Sequence, residues 1–144
     1  MTQILVVGHG GFATTLVETA SMLTGSTGRA TPVQFPVGTG VDELTAQVSA
    51  AIDGLVADAG EDADSARVLV LADVAGGSPA RVALGEALAG RAEVVTGANL
   101  PMLIDALFGA ETTAPAELAR RVVASAQAGI RNLGSEIRGG GVPA

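Results

Sequence analysis

The chain of 144 residues holds one histidine, His9, no cysteine and no lysine. Thiol and lysine-amine nucleophiles are therefore excluded. His9 stands in Val7-Gly8-His9-Gly10-Gly11, directly after the apolar run Ile4 to Val7. A second unusual loop, Asp73-Val74-Ala75-Gly76-Gly77-Ser78-Pro79, follows the apolar run Val68 to Ala72. A glycine-rich turn that opens a helix aims unpaired backbone N–H groups at an anion. If the two strands are neighbours, Gly10, Gly11, Gly76, Gly77 and Ser78 line a phosphate-sized cradle. Inside it would sit the only imidazole, His9, with one carboxylate, Asp73, at the end of the neighbouring strand.

The elements must bring those loops together. Gln3 to Val7, a short apolar run closed by Gly8, reads as a buried parallel strand. Phe12, Leu16, Ala20 and Leu23 recur at helical spacing up to Gly25, a C-terminal cap. Thr31 to Pro36 reads as a second strand, and Thr39 as the cap of a helix striped by Val41, Leu44, Val48, Ile52 and Leu55, with Asp42 and Glu43 in its first turn. Arg67 to Ala72 is the third strand; Ser78 and Pro79 then read as N-cap and first residue of a helix to about Ala89. Ala92 to Thr96 is a fourth strand, Pro101 starts another helix, and Pro115 to Ala128 forms the next, ended by Gly129. Strands and helices alternating in this way imply right-handed βαβ units. The fold class expected is α/β, doubly wound and flavodoxin-like, a mostly parallel sheet in the order 2-1-3-4 with helices on both faces. Its topological switch falls between strands one and three, where both loops end. Residues 1–137 read as one domain and 138–144 as a flexible tail.

Composition narrows the partners. Charged residues are 16% and aromatics 2%, with a formal net charge of −7, so a nucleic-acid binder, which needs cationic surface and stacking rings, is not expected. No apolar run approaches the length that spans a bilayer, and no basic residue precedes the first one, so a cytoplasmic location is expected. Without cysteine and with a single His, no metal site or disulfide is expected, and the acidic stretch Asp58 to Ser65 lacks the spacing of a calcium loop. No cofactor is called for.

Rival readings of the same residues are weaker. Gly8 to Ala13 fits the dinucleotide pattern GxGxxA, but the second strand supplies no acid for a ribose. A Gly-His-Gly turn is also found in small tetrapyrrole chelatases, yet here His9 would lack further ligands. Ser78 has a bland role as a cap, which does not exclude hydroxyl donation to a ligand.

The strand and His-Gly loop at 4 to 11, DVAGGSP at 73 to 79 and GANLPML at 97 to 103, in that order, resemble the mannose-class enzyme IIA domain of the bacterial phosphoenolpyruvate-dependent sugar phosphotransferase system over about residues 1 to 135. The resemblance implies that His9 takes a phosphoryl group from the histidine phosphocarrier protein and passes it to a cognate IIB component. It implies that Asp73 hydrogen-bonds the imidazole and Ser78 lies beside the phosphorylated nitrogen, with membrane sugar permease components served indirectly. Gly11-Phe12 and Val74-Ala75 depart from bulkier family residues and alter the pocket walls, not the reacting groups. Alternatives are a phosphotransfer subunit for dihydroxyacetone kinase, whose loop lacks GGSP, and a non-catalytic regulatory or ligand-binding module on the same fold. A homodimer is also implied, formed by exchange of an antiparallel edge strand, for which Ile130 to Leu133 is the candidate; the rival reading keeps 130 to 137 helical and the protein monomeric.

Overall fold

The computed structural model describes residues 1–25, 30–59 and 67–140. The elements run β1 (Gln3–His9), α1 (Phe12–Thr24), β2 (Ala30–Phe35), α2 (Val41–Asp58), β3 (Val68–Ala72), α3 (Ser78–Leu88), β4 (Glu93–Val95), α4 (Leu100–Gly109), α5 (Pro115–Ala128) and α6 (Leu133–Arg138). The four strands form one sheet in the order β2-β1-β3-β4, every pair parallel. This is the flavodoxin-like doubly wound arrangement, with helices on both faces.

Alternation along the strands decides which helices lie where. Ile4 and Val6 of β1 face one layer with Leu69 and Leu71 of β3, against Leu103 and Ala106 of α4 and Leu118 and Val122 of α5. Leu5 and Val7 face the other with Val68 and Val70, against Leu44, Val48 and Ile52 of α2 and Ala80 and Ala83 of α3. All five residues of β3 are buried, as a central strand covered on both faces requires. No helix among the described residues is long and apolar enough to cross a membrane.

Asn99, in the GANLPML loop, has a structural task. Its side-chain oxygen accepts from the Met102 N–H at 3.0 Å, capping α4, while its amide donates to the Ala126 carbonyl at 3.1 Å and ties down the end of α5. The neighbouring Ala98 N–H donates to the Ala72 carbonyl at 3.0 Å, so the same loop braces the end of β3 just before Asp73.

The expected caps need correction. Gly77, not Ser78, is the N-cap of α3, and Ser78 and Pro79 are its first helical residues; Gly40, not Thr39, precedes α2. Backbone turns, not hydroxyl caps, set both helix starts. The edge strand expected at Ile130 to Leu133 is absent. Leu133 instead begins α6, whose N-cap Asn132 accepts from the Ser135 N–H at 3.0 Å, while Arg131 pairs with Glu136 at 2.8 Å. Within α6 Leu133 and Ile137 stand one helical turn apart, and Ile130 lies before the helix. Residues 60–65 of the acidic stretch and 141–144 of the expected tail lie outside the described residues.

Candidate functional site

β1 and β3 end side by side, with Val7 opposite Ala72 and the Asp73 N–H donating to the Val7 carbonyl at 3.2 Å. His9 is thus the last residue of β1 and Asp73 the first beyond β3, at the crevice where the strand order reverses. The two residues are locked together. The backbone N–H of His9 donates to Asp73 Oδ2 at 2.8 Å, and ring Nδ1 lies 2.6 Å from the same oxygen. Asp73 Oδ1 accepts from the Val74 N–H at 2.8 Å.

Burial works to raise the pKa of the Asp73 carboxyl, but the hydrogen bonds from the His9 backbone, the His9 ring and Val74, together with the ring's charge, outweigh it and hold the pKa below the ordinary 3.8. At neutral pH Asp73 is therefore an acceptor only. In the neutral imidazole Nδ1 then carries the proton, which leaves Nε2 with its lone pair. Asp73 is sheltered, at 12% side-chain exposure, whereas the His9 side chain is 50% exposed and so open to a visiting group.

Close packing sets the ring's position. A Cβ added to Gly77 would collide with His9 Cε1 and lie 3.1 Å from Nε2, so the ring edge bearing Nε2 rests on the N-cap of α3. On its other side the ring meets Phe35 of β2, centroids 5.8 Å apart and planes tilted by 54°. Gly8 is equally confined: a Cβ there would fall 2.6 Å from Phe12 Cδ1 and 3.2 Å from the Asp73 side chain. Gly8 and Phe35 were not among the expected site residues. The signal for Gly8 was present in its place between two strand ends, but Phe35 becomes a neighbour only through pairing of β1 with β2.

The structure brings His9, Asp73 and Gly77 together, and Ser78 follows as the first residue of α3. Gly11 is the N-cap of α1, and the Ser78 hydroxyl has no hydrogen-bond partner among the described residues. Gly76 is exposed, with nothing within 4 Å of where a Cβ would stand. Gly10 requires a correction: its N–H donates to the Phe35 carbonyl at 2.7 Å, so it is not free to meet an anion. Its contribution is the turn itself, made at a φ of 56° that disfavours residues with a side chain. No group of three or more His, Cys, Asp or Glu among the described residues is placed to hold a metal ion.

A parallel α/β sheet carrying a carboxylate-braced, half-exposed imidazole at its switch point is the class that fold and site define. Comparison with known proteins gives the family: a family model described as "PTS system fructose IIA component" matches residues 3–123. The "PTS system fructose-specific EIIA component" of Bacillus subtilis (strain 168) is 28% identical over 128 residues, 88% of this chain and 83% of that protein. Among solved structures, the PTS IIA protein associated with the fucose utilization operon from Streptococcus pneumoniae superposes with a TM-score of 0.79 at 28% identity, covering 95% of this chain and 99% of the other. The mannose/sorbose specific IIA subunit from Enterococcus faecalis does so at 0.75 and 26%, covering 91% and 93%. The chain belongs to the mannose-type family of enzyme IIA components of the sugar phosphotransferase system.

Proposed function

We propose that His9 carries the phosphoryl group, accepting it on Nε2 from the histidine phosphocarrier protein and delivering it to a histidine of a cognate IIB component in the cytoplasm. The observation that carries this reading is the Nδ1 to Asp73 Oδ2 contact of 2.6 Å, which leaves the lone pair of Nε2 free on a half-exposed ring. In the forward step that lone pair attacks phosphorus, the nitrogen–phosphorus bond of the donor breaks, and its electron pair returns to the donor imidazole. The Nδ1 proton stays on His9, held by Asp73, which offsets the positive charge the ring gains as the new bond forms.

The phosphoryl oxygens are met by the N–H groups of Gly77 and Ser78 at the start of α3, by the Ser78 hydroxyl and by the N–H of Gly11 at the start of α1. Gly76 shapes the turn that presents them. No cationic side chain is needed, because a carrier must release the group as readily as it takes it up. Sugar permease components in the membrane are served indirectly, through IIB.

Incubation with the phosphorylated phosphocarrier tests the assignment. Wild type should gain one acid-labile phosphoryl group and His9→Ala none; labelling of the alanine variant would overturn it. We also read the chain as a homodimer, because Ile130, Leu133 and Ile137 are 77%, 58% and 67% exposed in the C-terminal segment.

A further inference from the structure

We propose that Phe35 is a positioning residue for phosphoryl transfer: its ring holds the His9 imidazole in the one orientation that keeps Nδ1 on Asp73 and Nε2 free. The proposal rests on the phosphoryl-carrier reading of His9 and adds a residue of β2 to it.

Strand register puts the two side chains together. His9 and Phe35 are partners across the parallel β1–β2 pair, and partners in register send their side chains to the same face of the sheet. That face is the one on which Leu5 and Val7 of β1 and Val33 of β2 pack with α2. Phe35 is half-buried against this core, so close packing makes it a fixed wall. Its carbonyl also accepts from the Gly10 N–H at 2.7 Å, which ties the backbone after His9 to the same residue. The chain has only three aromatic residues, all phenylalanine, and this one stands 5.8 Å, centroid to centroid, from its only imidazole. Packed aromatic rings favour separations of about 4.5–7 Å.

Asp73 alone does not fix the ring. The torsion that turns an imidazole is broad and roughly twofold. The Nδ1 to Asp73 Oδ2 contact of 2.6 Å decides between the two flips, since the other would set a carbon against the carboxylate. It constrains one ring atom, about which the ring can still swing. Gly77 limits that swing at the Cε1–Nε2 edge, and Phe35 limits it from the β2 side. Misplacing a reacting group by about 1 Å can cost about 100-fold in rate, so the wall has a kinetic consequence. A mere core filler would have none, and leucine would serve as well.

Two variants separate these roles. Phe35→Leu keeps an apolar side chain in the core and removes the aromatic ring, whereas Phe35→Tyr keeps the ring. Phe35→Leu should lower the maximal rate of transfer from the phosphorylated phosphocarrier to His9 about tenfold, with the half-saturating phosphocarrier concentration near wild type. Phe35→Tyr should recover most of the rate. Because His9 is the only histidine, isotopic labelling of histidine nitrogen gives the magnetic resonance spectrum of a single ring. The neutral ring should be the Nδ1–H tautomer in wild type and Phe35→Tyr, and in Phe35→Leu the Nε2–H tautomer should appear beside it. A wild-type rate in Phe35→Leu overturns the proposal, as does a loss carried by the half-saturating concentration, a tyrosine variant no faster than the leucine one, or an unchanged tautomer in Phe35→Leu. Failure of wild type to take a phosphoryl group from the phosphocarrier would sink the carrier reading instead, and the ring spectra would still decide whether Phe35 holds the imidazole.

Discussion

At the scale of single residues, Asp73 is the pivot. One oxygen receives both the backbone and the ring of His9, so the carboxylate sets where the ring stands and which nitrogen is free. Asp73→Asn keeps an acceptor of the same size but loses the charge, and the rate of phosphoryl transfer to His9 should fall by about 10- to 100-fold with the fold retained. Rapid-quench labelling checks this, and a wild-type rate would remove Asp73 from the mechanism. The depressed pKa also gives a pH signature. A carboxyl whose folded value lies below 3.8 contributes stability that is fully present above 3.8 and disappears as pH falls through the lower folded value. The stability gap between wild type and Asp73→Asn should therefore shrink in denaturant titrations below about pH 4. Asp105 gives a parallel acid loss: burial raises its pKa, but Arg121 and Ser125 overcome this and hold it low, so both proteins still weaken in acid.

At the scale of elements, helix starts matter more than helix bodies. Gly77 lies against His9, and Gly76, one residue earlier, has open space around it. Gly77→Ala should displace the ring, cost about 1–3 kcal/mol by overpacking and slow phosphoryl uptake, whereas Gly76→Ala should stay within about 0.5 kcal/mol of wild type. Chemical denaturation with parallel labelling reads both, and equal behaviour of the two variants would refute the close approach. The order of β1, β3 and the two glycine loops was legible in the sequence, because apolar runs bounded by glycine leave little choice of element. Three details were not. The N-cap of α3 falls on Gly77 because an extended backbone there, at a φ of −94° and ψ of 168°, starts the helix without a side-chain oxygen. The Gly10 N–H is taken by Phe35 only once β2 is seated beside β1. The segment after Gly129 contains apolar residues compatible with either period over four positions, and the Asn132 cap decides for the helix.

At the scale of the whole molecule, the C-terminal segment is the part its own fold leaves unused. No residue of α6 is buried, yet it carries Leu133 and Ile137 one turn apart, with Ile130 exposed just before the helix. A chain ended after Ala128 should lose dimerisation while keeping its far-ultraviolet circular dichroism, as judged by light scattering; a truncated chain that remains dimeric would exclude this face as the interface. The half-open placement of His9 has a consequence for the order of events. With Asp73 gripping one edge of the ring and Phe35 and Gly77 beside it, the approach to Nε2 is narrowed. Donor and acceptor proteins must then use that approach in turn, since neither can reach the nitrogen while the other occupies it. Under the carrier reading, throughput is governed by how fast each visitor departs, and an excess of unphosphorylated donor acts as a competitive inhibitor of delivery.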